Sequence, residues 1–403
     1  MHTTNKILEG VRILSFTNGY AGPYAGRLLA QYGAEVIKIE SQNKGLDTFR
    51  SYRTSESLDA APRFIECNLC VRSITINLKH PTGVKLIKEL SQKSQAVLVN
   101  FRPQVMDRLG LGDQELRKVN PGLIVLKMPG LGDTGPKKLF GSWGFNLNAF
   151  SGMTYLWNHP HQSHPVGSQG VYPDHLGFIM APTLLMAALL HQRATGEGVS
   201  IDLAQSESTA YMLGASFLAS SLNQQPEPLG NRDLSAAPHG CYRCQKEEQW
   251  CVISVQTEQQ WQLFCQLIDQ EVLIDDQRFH NRNARLKNAS TLNKIIEEWT
   301  CTRSSKDIVH QLQSRGVPAG IVQTGPDLLN DPQLRHRDYF ESFSDTPVGP
   351  FEIPRSPLKF QTMVDEPLTL PSSLGADTET VLKDLLGHDV KSIAKWRKEG
   401  VLR

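Results

Sequence analysis

The chain has 403 residues, of which 39% are hydrophobic and 21% charged, and its 42 basic and 41 acidic residues leave a net charge of +1. This length and composition are typical of a globular protein with two or three domains and a sizeable core. The balanced charge gives no reason to expect a nucleic-acid partner or a membrane surface as a partner.

The first residues contain no apolar stretch of the kind that marks a secretory signal. No window reaches the roughly 20 apolar residues of a membrane span. Seven cysteines, an odd number in such a chain, indicate reduced thiols and a cytoplasmic location.

Two cysteine pairs, Cys67/Cys70 and Cys241/Cys244, have the CxxC spacing of a zinc site. The pairs lie far apart in sequence and beside predicted strands, where residues three apart diverge, so we expect no metal there. The histidines between residues 159 and 164 lack cysteine or carboxylate neighbours at ligand spacing, which favours a solvated loop.

The first 200 residues alternate between predicted strands and helices. Strands are predicted at residues 11–16, 35–40, 73–78, 96–101, 123–127 and 199–203. The first two strands flank a helix that Gly33 ends, which makes a βαβ unit and predicts a doubly wound, Rossmann-like α/β domain. Because Gly19, Gly22 and Gly26 miss the G-x-G-x-x-G spacing, an NAD site is poorly supported, although a phosphate near this helix start is physically reasonable.

The composition changes after this domain. Residues 223–238 are polar and rich in Pro and Gly, as in a linker, and a hairpin and three helices are predicted beyond them. A smaller α+β domain is therefore expected at 223–326, between a large domain at 1–222 and a C-terminal segment, 327–403, that returns to the large domain. The Pro-rich part of this tail is expected to wrap another surface, and one helix is predicted after it, at 378–386.

Asp174 is the most informative single residue. It lies between Gly170 and Gly177, directly before an apolar segment, 178–190, that predicts a helix buried nearly all round. The simplest interpretation is a helix N-cap. A catalytic carboxylate is the alternative, and the rest of the chain supports it.

Nine segments occur in an order that resembles the class III CoA-transferase (CaiB/BaiF) family, which also contains α-methylacyl-CoA racemases. These segments are residues 8–14, 21–23 with 33–40, 72–79, 100–103, 108–110, Asp174 with the helix behind it, 193–198, 316–320 and 374–379. The resemblance covers nearly the whole chain, and the ordered set is far more specific than any one segment.

The resemblance implies an interlocked dimer whose large domain binds CoA. The substrates would be an acyl-CoA and a small carboxylic acid, with no metal or redox cofactor. The CoA contacts carried over by position are Tyr20, Ala21, Ile76, Lys79, Asn100, Phe101 and Arg108. Lys79 and Arg108 would meet phosphates, and Phe101 would lie against the adenine.

Two features depart from the family pattern. Ser41 stands where some members carry a basic residue, with Lys44 only nearby, and residues 236–242 replace the glycine-rich loop of formyl-CoA:oxalate transferases. Oxalate is therefore not the expected acid. Trp143 and Gly240 are weaker candidates for the substrate pocket and the oxyanion site.

The implied chemistry moves CoA between carboxylic acids, with succinyl-CoA as a candidate donor, through an aspartyl-CoA thioester on Asp174. Three alternatives stay open. A racemase needs a second proton-transfer group, but no histidine occurs between His80 and His159, and Trp143 occupies the aligned place. The others are a non-catalytic CoA-binding subunit paired with a paralogous subunit in a heteromer, and a nucleotide-binding protein outside the family.

Overall fold

A computed structural model describes residues 6–42, 45–160, 162, 164–165, 170–362 and 366–402. The chain forms two compact units: the first contains residues 1–153, 168–224 and 336–403, and the second contains 154–167 and 225–335. The first unit is thus built from both ends of the chain.

The first unit is built on a six-stranded sheet in the order β3-β2-β1-β4-β5-β6. Its strands, all parallel, are β1 (Arg12–Phe16), β2 (Glu35–Glu40), β3 (Arg72–Thr75), β4 (Ala96–Val99), β5 (Ile124–Lys127) and β6 (Ser200–Asp202). The strand order reverses at β1, where Leu14 pairs with Ile37 on one side and Val97 on the other. Loops leaving β1 and β4 therefore separate here, and α/β folds of this kind bind ligands at such a point.

The remaining strands form two smaller antiparallel sheets. They are β7 (His239–Arg243), β8 (Trp250–Ser254) and β9 (Ala319–Ile321) in the second unit, and the hairpin β10 (Phe340–Phe343) and β11 (Phe351–Pro354) in the first.

The α-helices, in chain order, are α1 (Ala21–Gln31), α2 (Pro62–Asn68), α3 (Pro81–Gln92), α4 (Val105–Arg108), α5 (Asp113–Val119), α6 (Gly144–Phe150), α7 (Met153–Leu156), α8 (Tyr172–Thr195), α9 (Gln205–Tyr211), α10 (Gly214–Ser221), α11 (Glu258–Leu267), α12 (Val272–Asp275), α13 (Arg282–Lys287), α14 (Ala289–Thr300), α15 (Ser305–Gln313), α16 (Gly325–Leu329), α17 (Pro332–His336), α18 (Thr378–Asp384) and α19 (Val390–Lys398). A short 3-10 helix covers Thr48–Tyr52.

Helices cover both faces of the large sheet, which confirms the predicted α/β class. On one face α1 and α8 pack over β1, β4 and β5, with Leu29 and Leu185 almost fully buried. On the other face Leu86 of α3 and Leu382 of α18 lie in a second core. The chain terminus thus completes the core of the unit that the first residues begin.

Helix α8 corrects one expectation. The segment 178–190 was expected to be buried nearly all round, but Ile179, Met186 and Leu190 are 56%, 43% and 68% exposed in the single chain. Burial on every side was predicted because apolar residues occupy nearly every position of the segment rather than one face. In the structure α8 packs on α1, β5 and α9, and one apolar face of the helix stays open. By length and composition alone, α8 is also the one described helix long and apolar enough to span a membrane.

Elements after β6 also add to what the sequence predicted. Between β6 and residue 222 the chain forms two helices, α9 and α10, separated at Met212–Leu213. Besides the predicted α18, the tail contains the helices α17 and α19 and the hairpin β10–β11, none of which was predicted. Ile353 of this hairpin and Leu368 pack with Ile65 and Leu69, so the Pro-rich tail covers α2 of its own chain.

The second unit has its own core. Strand β8 pairs with β7 and β9, and Cys251 and Ile253 of β8 pack beneath the helices with Trp261 and Phe264 of α11. Trp299 of α14 completes this core.

Candidate active site

Asp174 is the third residue of α8, and its side chain does not cap that helix. The N-cap position belongs to Val171, which makes no side-chain capping bond. The carboxylate of Asp174 instead faces the start of α1, where the backbone N–H of Ala21, the first residue of that helix, acts as a donor that favours the ionised form. The carboxylate therefore lies in the first turn of one helix and at the start of another, where unpaired N–H groups and the helix dipoles favour a negative charge.

Burial dominates the electrostatics of this carboxyl group. Desolvation raises the pKa of Asp174 to about 6, and the Ala21 hydrogen bond opposes that rise. No charged side chain among the described residues contributes to the shift. A carboxylate that is mostly ionised at neutral pH, yet poorly solvated, is suited to nucleophilic attack.

Glycines allow the chain to approach Asp174 closely. A β-carbon on Gly144, the first residue of α6, would lie 2.3 Å from Oδ2 of Asp174 and 2.5 Å from Cβ of Val171. On the helix itself, a β-carbon on Gly177 would lie 3.2 Å from Cε of Met128. Any side chain at Gly144 would therefore displace the carboxylate.

An aromatic cluster lies beside the start of α8. The Tyr20 ring packs edge-on against His175 and Phe178, with ring centroids 5.3 and 5.9 Å apart, and Tyr24 stacks on Phe178 at 4.4 Å. Burial lowers the pKa of His175 and raises the pKa of Tyr20 and Tyr24. All three groups are therefore neutral near pH 7, and the neighbourhood of Asp174 is apolar in character.

The loop after β1 is held by the loop after β4. The Asn100 side chain accepts a hydrogen bond from the backbone N–H of Asn18 at 2.8 Å and donates one to its carbonyl oxygen at 2.7 Å. A β-carbon on Gly22 would lie 2.7 Å from Cβ of Thr17 and 2.9 Å from Cγ of Asn100. The absence of a side chain at Gly22 thus allows α1 to pack closely on both loops. In a dinucleotide fingerprint, by contrast, glycines allow the backbone to approach a phosphate.

The predicted phosphate contacts and one further arginine lie beyond the carboxyl ends of β3 and β4. Lys79, Arg102 and Arg108 are all exposed, and none of these side chains makes a hydrogen bond or ion pair with any residue that the structure describes. Three cations without protein partners in the described part of the chain, at this edge of the sheet, are suited to binding anionic groups.

The other predicted CoA contacts differ in accessibility. Ile76 is fully buried in the core under α3, which leaves only its backbone for a ligand. Phe101 is half-buried against the same core, and Ala21 is buried while its N–H serves Asp174. Ser41 is buried and bridges to Gly45, while Lys44 lies outside the described residues.

Trp143 directly precedes Gly144, and Gly240 belongs to the second unit. Trp143 is 60% exposed, and its ring atom Cζ3 would lie 3.9 Å from a β-carbon on Gly19. Gly240 pairs with Ile253 in the small sheet. Four further aromatic residues in the chain after Trp143 are also about half exposed, namely Phe145, Phe150, Tyr155 and Trp157.

Sequence reasoning missed two residues of this site. Gly144 gave no local signal, because only the fold brings it against a residue thirty positions later. Arg102 lies in the segment Asn100-Phe-Arg-Pro103, and its position after a buried strand was the available signal. Among the described residues no group of three or more His, Cys, Asp or Glu side chains is arranged to hold a metal ion.

Comparison with known proteins identifies the class. The sequence profile of CoA-transferase family III matches residues 8–378, so the chain belongs to this family of acyl-CoA:carboxylate CoA-transferases. It is 28% identical to the succinyl-CoA–L-malate CoA-transferase alpha subunit of Chloroflexus aurantiacus, over 98% of this chain and 92% of that one. It is 27% identical to the succinyl-CoA:glutarate CoA-transferase of Mus musculus, over 98% of this chain and 90% of that one.

Solved structures agree with this assignment. A CaiB/BaiF family protein from Brucella suis superposes with a TM-score of 0.84 at 26% identity, covering 94% of this chain and all of that one. In sequence, the beta subunit of the Chloroflexus aurantiacus succinyl-CoA–L-malate enzyme is also similar, at 26% identity over 99% of both chains.

Proposed function

We propose that the protein moves CoA from succinyl-CoA to a second carboxylic acid, with Asp174 as the covalent nucleophile. The observation that carries this proposal is the Asp174 carboxylate, which is buried without a charged partner among the described residues and packs closely against Gly144. A structural carboxylate would be expected to have a cation beside it or to cap its own helix.

The reaction consists of two symmetrical halves. An Asp174 oxygen attacks the thioester carbonyl, the C–S bond breaks, and a mixed anhydride and free CoA thiolate result. The thiolate then attacks the Asp174 carbonyl, which forms an aspartyl-CoA thioester and releases succinate. The acceptor carboxylate repeats these steps in reverse, giving the new acyl-CoA and restoring Asp174.

Each intermediate is reactive towards water, so the site must be dry. The aromatic rings of Tyr20 and Phe178 and the close packing of Gly144 on the carboxylate would exclude water from the site. Lys79 and Arg108 would bind the CoA phosphates, and Phe101 would lie against the adenine. Trp143 would line the acyl pocket.

A dicarboxylic donor is supported by two observations. Relatives named for succinyl-CoA act with malate or glutarate, which are also dicarboxylic acids. In this chain the exposed Arg102 guanidinium lies beside the loop to Gly144, since its Nη2 would be 2.7 Å from a β-carbon on Gly141. We assign Arg102 the distal carboxylate of the succinyl group, because a planar guanidinium binds carboxylates through paired hydrogen bonds.

We also propose that two chains form the working enzyme. The open apolar face of α8 supports this, and α10 with its C-cap adds Phe217, Leu218 and Leu222, each about 60% exposed. A second copy is the expected occupant, giving a mass in solution near twice 45.0 kDa by light scattering. Because relatives include both an alpha and a beta subunit, a paralogous chain is the alternative occupant, and a purified monomer would favour it.

The function is tested by incubating the purified protein with succinyl-CoA and a panel of carboxylic acids in D₂O. We expect a new acyl-CoA from at least one acid and loss of this product in Asp174→Asn. Deuterium next to the thioester without CoA transfer would instead support the racemase. Binding of CoA without either reaction, across several donors, would support a non-catalytic subunit.

A further inference from the structure

A buried ion pair lies beneath the loop that leads to Asp174's hydrogen-bond donor. The ammonium of Lys38, in the middle of β2, is 2.7 Å from Oδ2 of Asp47, and the two side chains are 1% and 0% exposed. Neither residue is among the CoA contacts or the reacting groups described above. Their burial therefore requires an explanation of its own.

Both members of the pair also bind the backbone of the loop between β1 and α1. Lys38 Nζ donates to the carbonyl oxygen of Thr17 at 2.9 Å, and Asp47 Oδ1 accepts from the N–H of Gly19 at 3.1 Å. Gly19 has a φ of +74°, so the loop turns sharply there. The next two residues pack on the first turns of α8: the Tyr20 ring lies 5.3 Å from the His175 ring, and Ala21 Cβ would lie 3.7 Å from a β-carbon on Gly177. The N–H of Ala21 lowers the pKa of Asp174.

The segment carrying Asp47 is fixed in turn. Its backbone N–H donates to Glu40 Oε1 at 3.0 Å, and Glu40 forms a buried pair with Arg50 at 2.8 Å. Asp47 Oδ1 also accepts from the N–H of Phe49 at 2.9 Å. Asp47 is therefore fixed by its own hydrogen bonds, and through Gly19 it fixes the β1–α1 loop.

A buried ion pair is a weak source of stability, since well-packed apolar residues of similar volume often serve as well or better. Apolar residues could not make the two hydrogen bonds to the backbone of Thr17 and Gly19. Placement of the β1–α1 loop therefore explains why two charged side chains are buried here.

We propose that Lys38 and Asp47 are positioning residues for CoA transfer, which fix the β1–α1 loop so that the Ala21 N–H meets the Asp174 carboxylate. This inference rests on the proposed role of Asp174 as nucleophile. It assigns a part in the reaction to a buried pair that touches neither substrate nor nucleophile.

The titratable groups packed around Asp174 are few among the described residues, which makes the effect measurable. His175 lies on the same helix, Tyr20 and Tyr24 lie at the start of α1, and α6 presents the glycine Gly144. Burial keeps His175 and both tyrosines neutral near pH 7, so the Ala21 hydrogen bond is the main influence that lowers the pKa of Asp174. A loosened loop should therefore raise that pKa.

The test uses the double variant Lys38→Met/Asp47→Asn in the full-length protein. Removing both charges leaves no unpaired buried ion, and the new amide still offers an oxygen to the Gly19 N–H. The double variant should therefore fold even where a single variant, with one buried charge left unpaired, does not. We expect aspartyl-CoA formation from succinyl-CoA to slow by about tenfold or more in single-turnover measurements, as small misplacements of a reacting group do.

The second readout does not depend on turnover. Labelling of Asp174 by a water-soluble carbodiimide and an amine, followed by peptide mass against pH, reports the protonated carboxyl. We expect its midpoint to move upward by about half a pH unit or more in the double variant, since one unit corresponds to a tenfold change. Should the wild-type protein form no adduct at all, the proposed function fails while the labelling midpoint still tests the positioning role.

Arg27→Met is the matched control. Arg27 is a buried cation of α1 itself, but it donates to the carbonyl oxygens of Glu66 and Pro354 rather than to the loop. This variant should lower the melting temperature and leave both the adduct rate and the labelling midpoint unchanged. A folded double variant with wild-type rate and midpoint, or an Arg27→Met variant with the same losses, would overturn the proposal.

Discussion

Gly144 and Asp174 are in contact: a β-carbon on Gly144 would lie 2.3 Å from Oδ2 of the Asp174 carboxylate. The carboxylate of Asp174 therefore packs directly on the backbone of the first residue of α6. The Ala21 N–H at the start of α1 favours the ionised form of the same carboxylate. Backbone groups rather than flexible side chains therefore border the reacting oxygen at these two places.

Gly144→Ala is expected to slow aspartyl-CoA formation by about 100-fold, because a displacement of roughly 1 Å at a reacting atom has this order of effect. Single-turnover mass spectrometry with succinyl-CoA measures the rate. Gly325→Ala is the control, since Gly325 is also the first residue of a helix and has open space around its α-carbon. Equal rates for the two variants would show that the close contact between Gly144 and the Asp174 carboxylate does not affect adduct formation.

The rate of adduct formation should rise with pH through a single ionisation near pH 6. Attack requires the ionised carboxylate, and burial places the pKa of Asp174 at about 6. Above about pH 7.5 the rate should be flat until other groups titrate. A single-turnover pH profile from about 4.5 to 8.5 checks this, and a midpoint near 4, as for a solvated Asp, would contradict the burial argument.

Asp174→Asn is expected to stabilise the protein at about pH 8 by roughly 1 to 2 kcal/mol. This is less than the free energy that the full pKa shift corresponds to, because solvent screens part of the effect. Because the folded-state pKa lies above that of the unfolded chain, the wild-type free energy of unfolding falls as pH rises from about 4 through 6. The amide removes this fall. Urea unfolding at about pH 3.5, below both pKa values, and at about pH 8 measures the difference, which should be nearly absent at the lower pH.

Arg102→Gln should weaken use of succinyl-CoA by about 10- to 100-fold in kcat/KM and leave butyryl-CoA, which lacks the distal carboxylate, nearly unaffected. Lys79→Gln is the contrast, since loss of a phosphate contact should weaken both donors alike. If Arg102→Gln also affects both donors equally, Arg102 binds a phosphate of CoA and the assignment of the distal carboxylate is wrong.

The sequence predicted the sheet well because its strands are continuous apolar runs bounded by turn residues. The strand Glu35–Glu40 was predicted at its observed limits, and the predicted tail helix begins at Thr378 as expected. The helix α19 was missed because its residues 390–398 are mostly polar or charged and only Ile393 is buried. Local pattern cannot show that one buried side chain anchors a polar helix.

The site was only partly accessible from sequence. Asp174 could be singled out by its place before an apolar helix, and the resemblance supplied its proposed role. Its contact with Gly144, its hydrogen bond from Ala21 and the pair Lys38–Asp47 depend on residues that only the fold brings together. The same limit explains α8, whose exposed apolar face cannot be told from a buried one by composition.

The most direct test of the account is the mass of the protein after incubation with succinyl-CoA and no acceptor. We predict a CoA-sized adduct on the peptide that contains Asp174, labile to hydroxylamine, removed by an acceptor acid and absent in Asp174→Ala. Undiminished CoA transfer by Asp174→Ala, or transfer by the wild-type protein through an adduct on another residue, would contradict it.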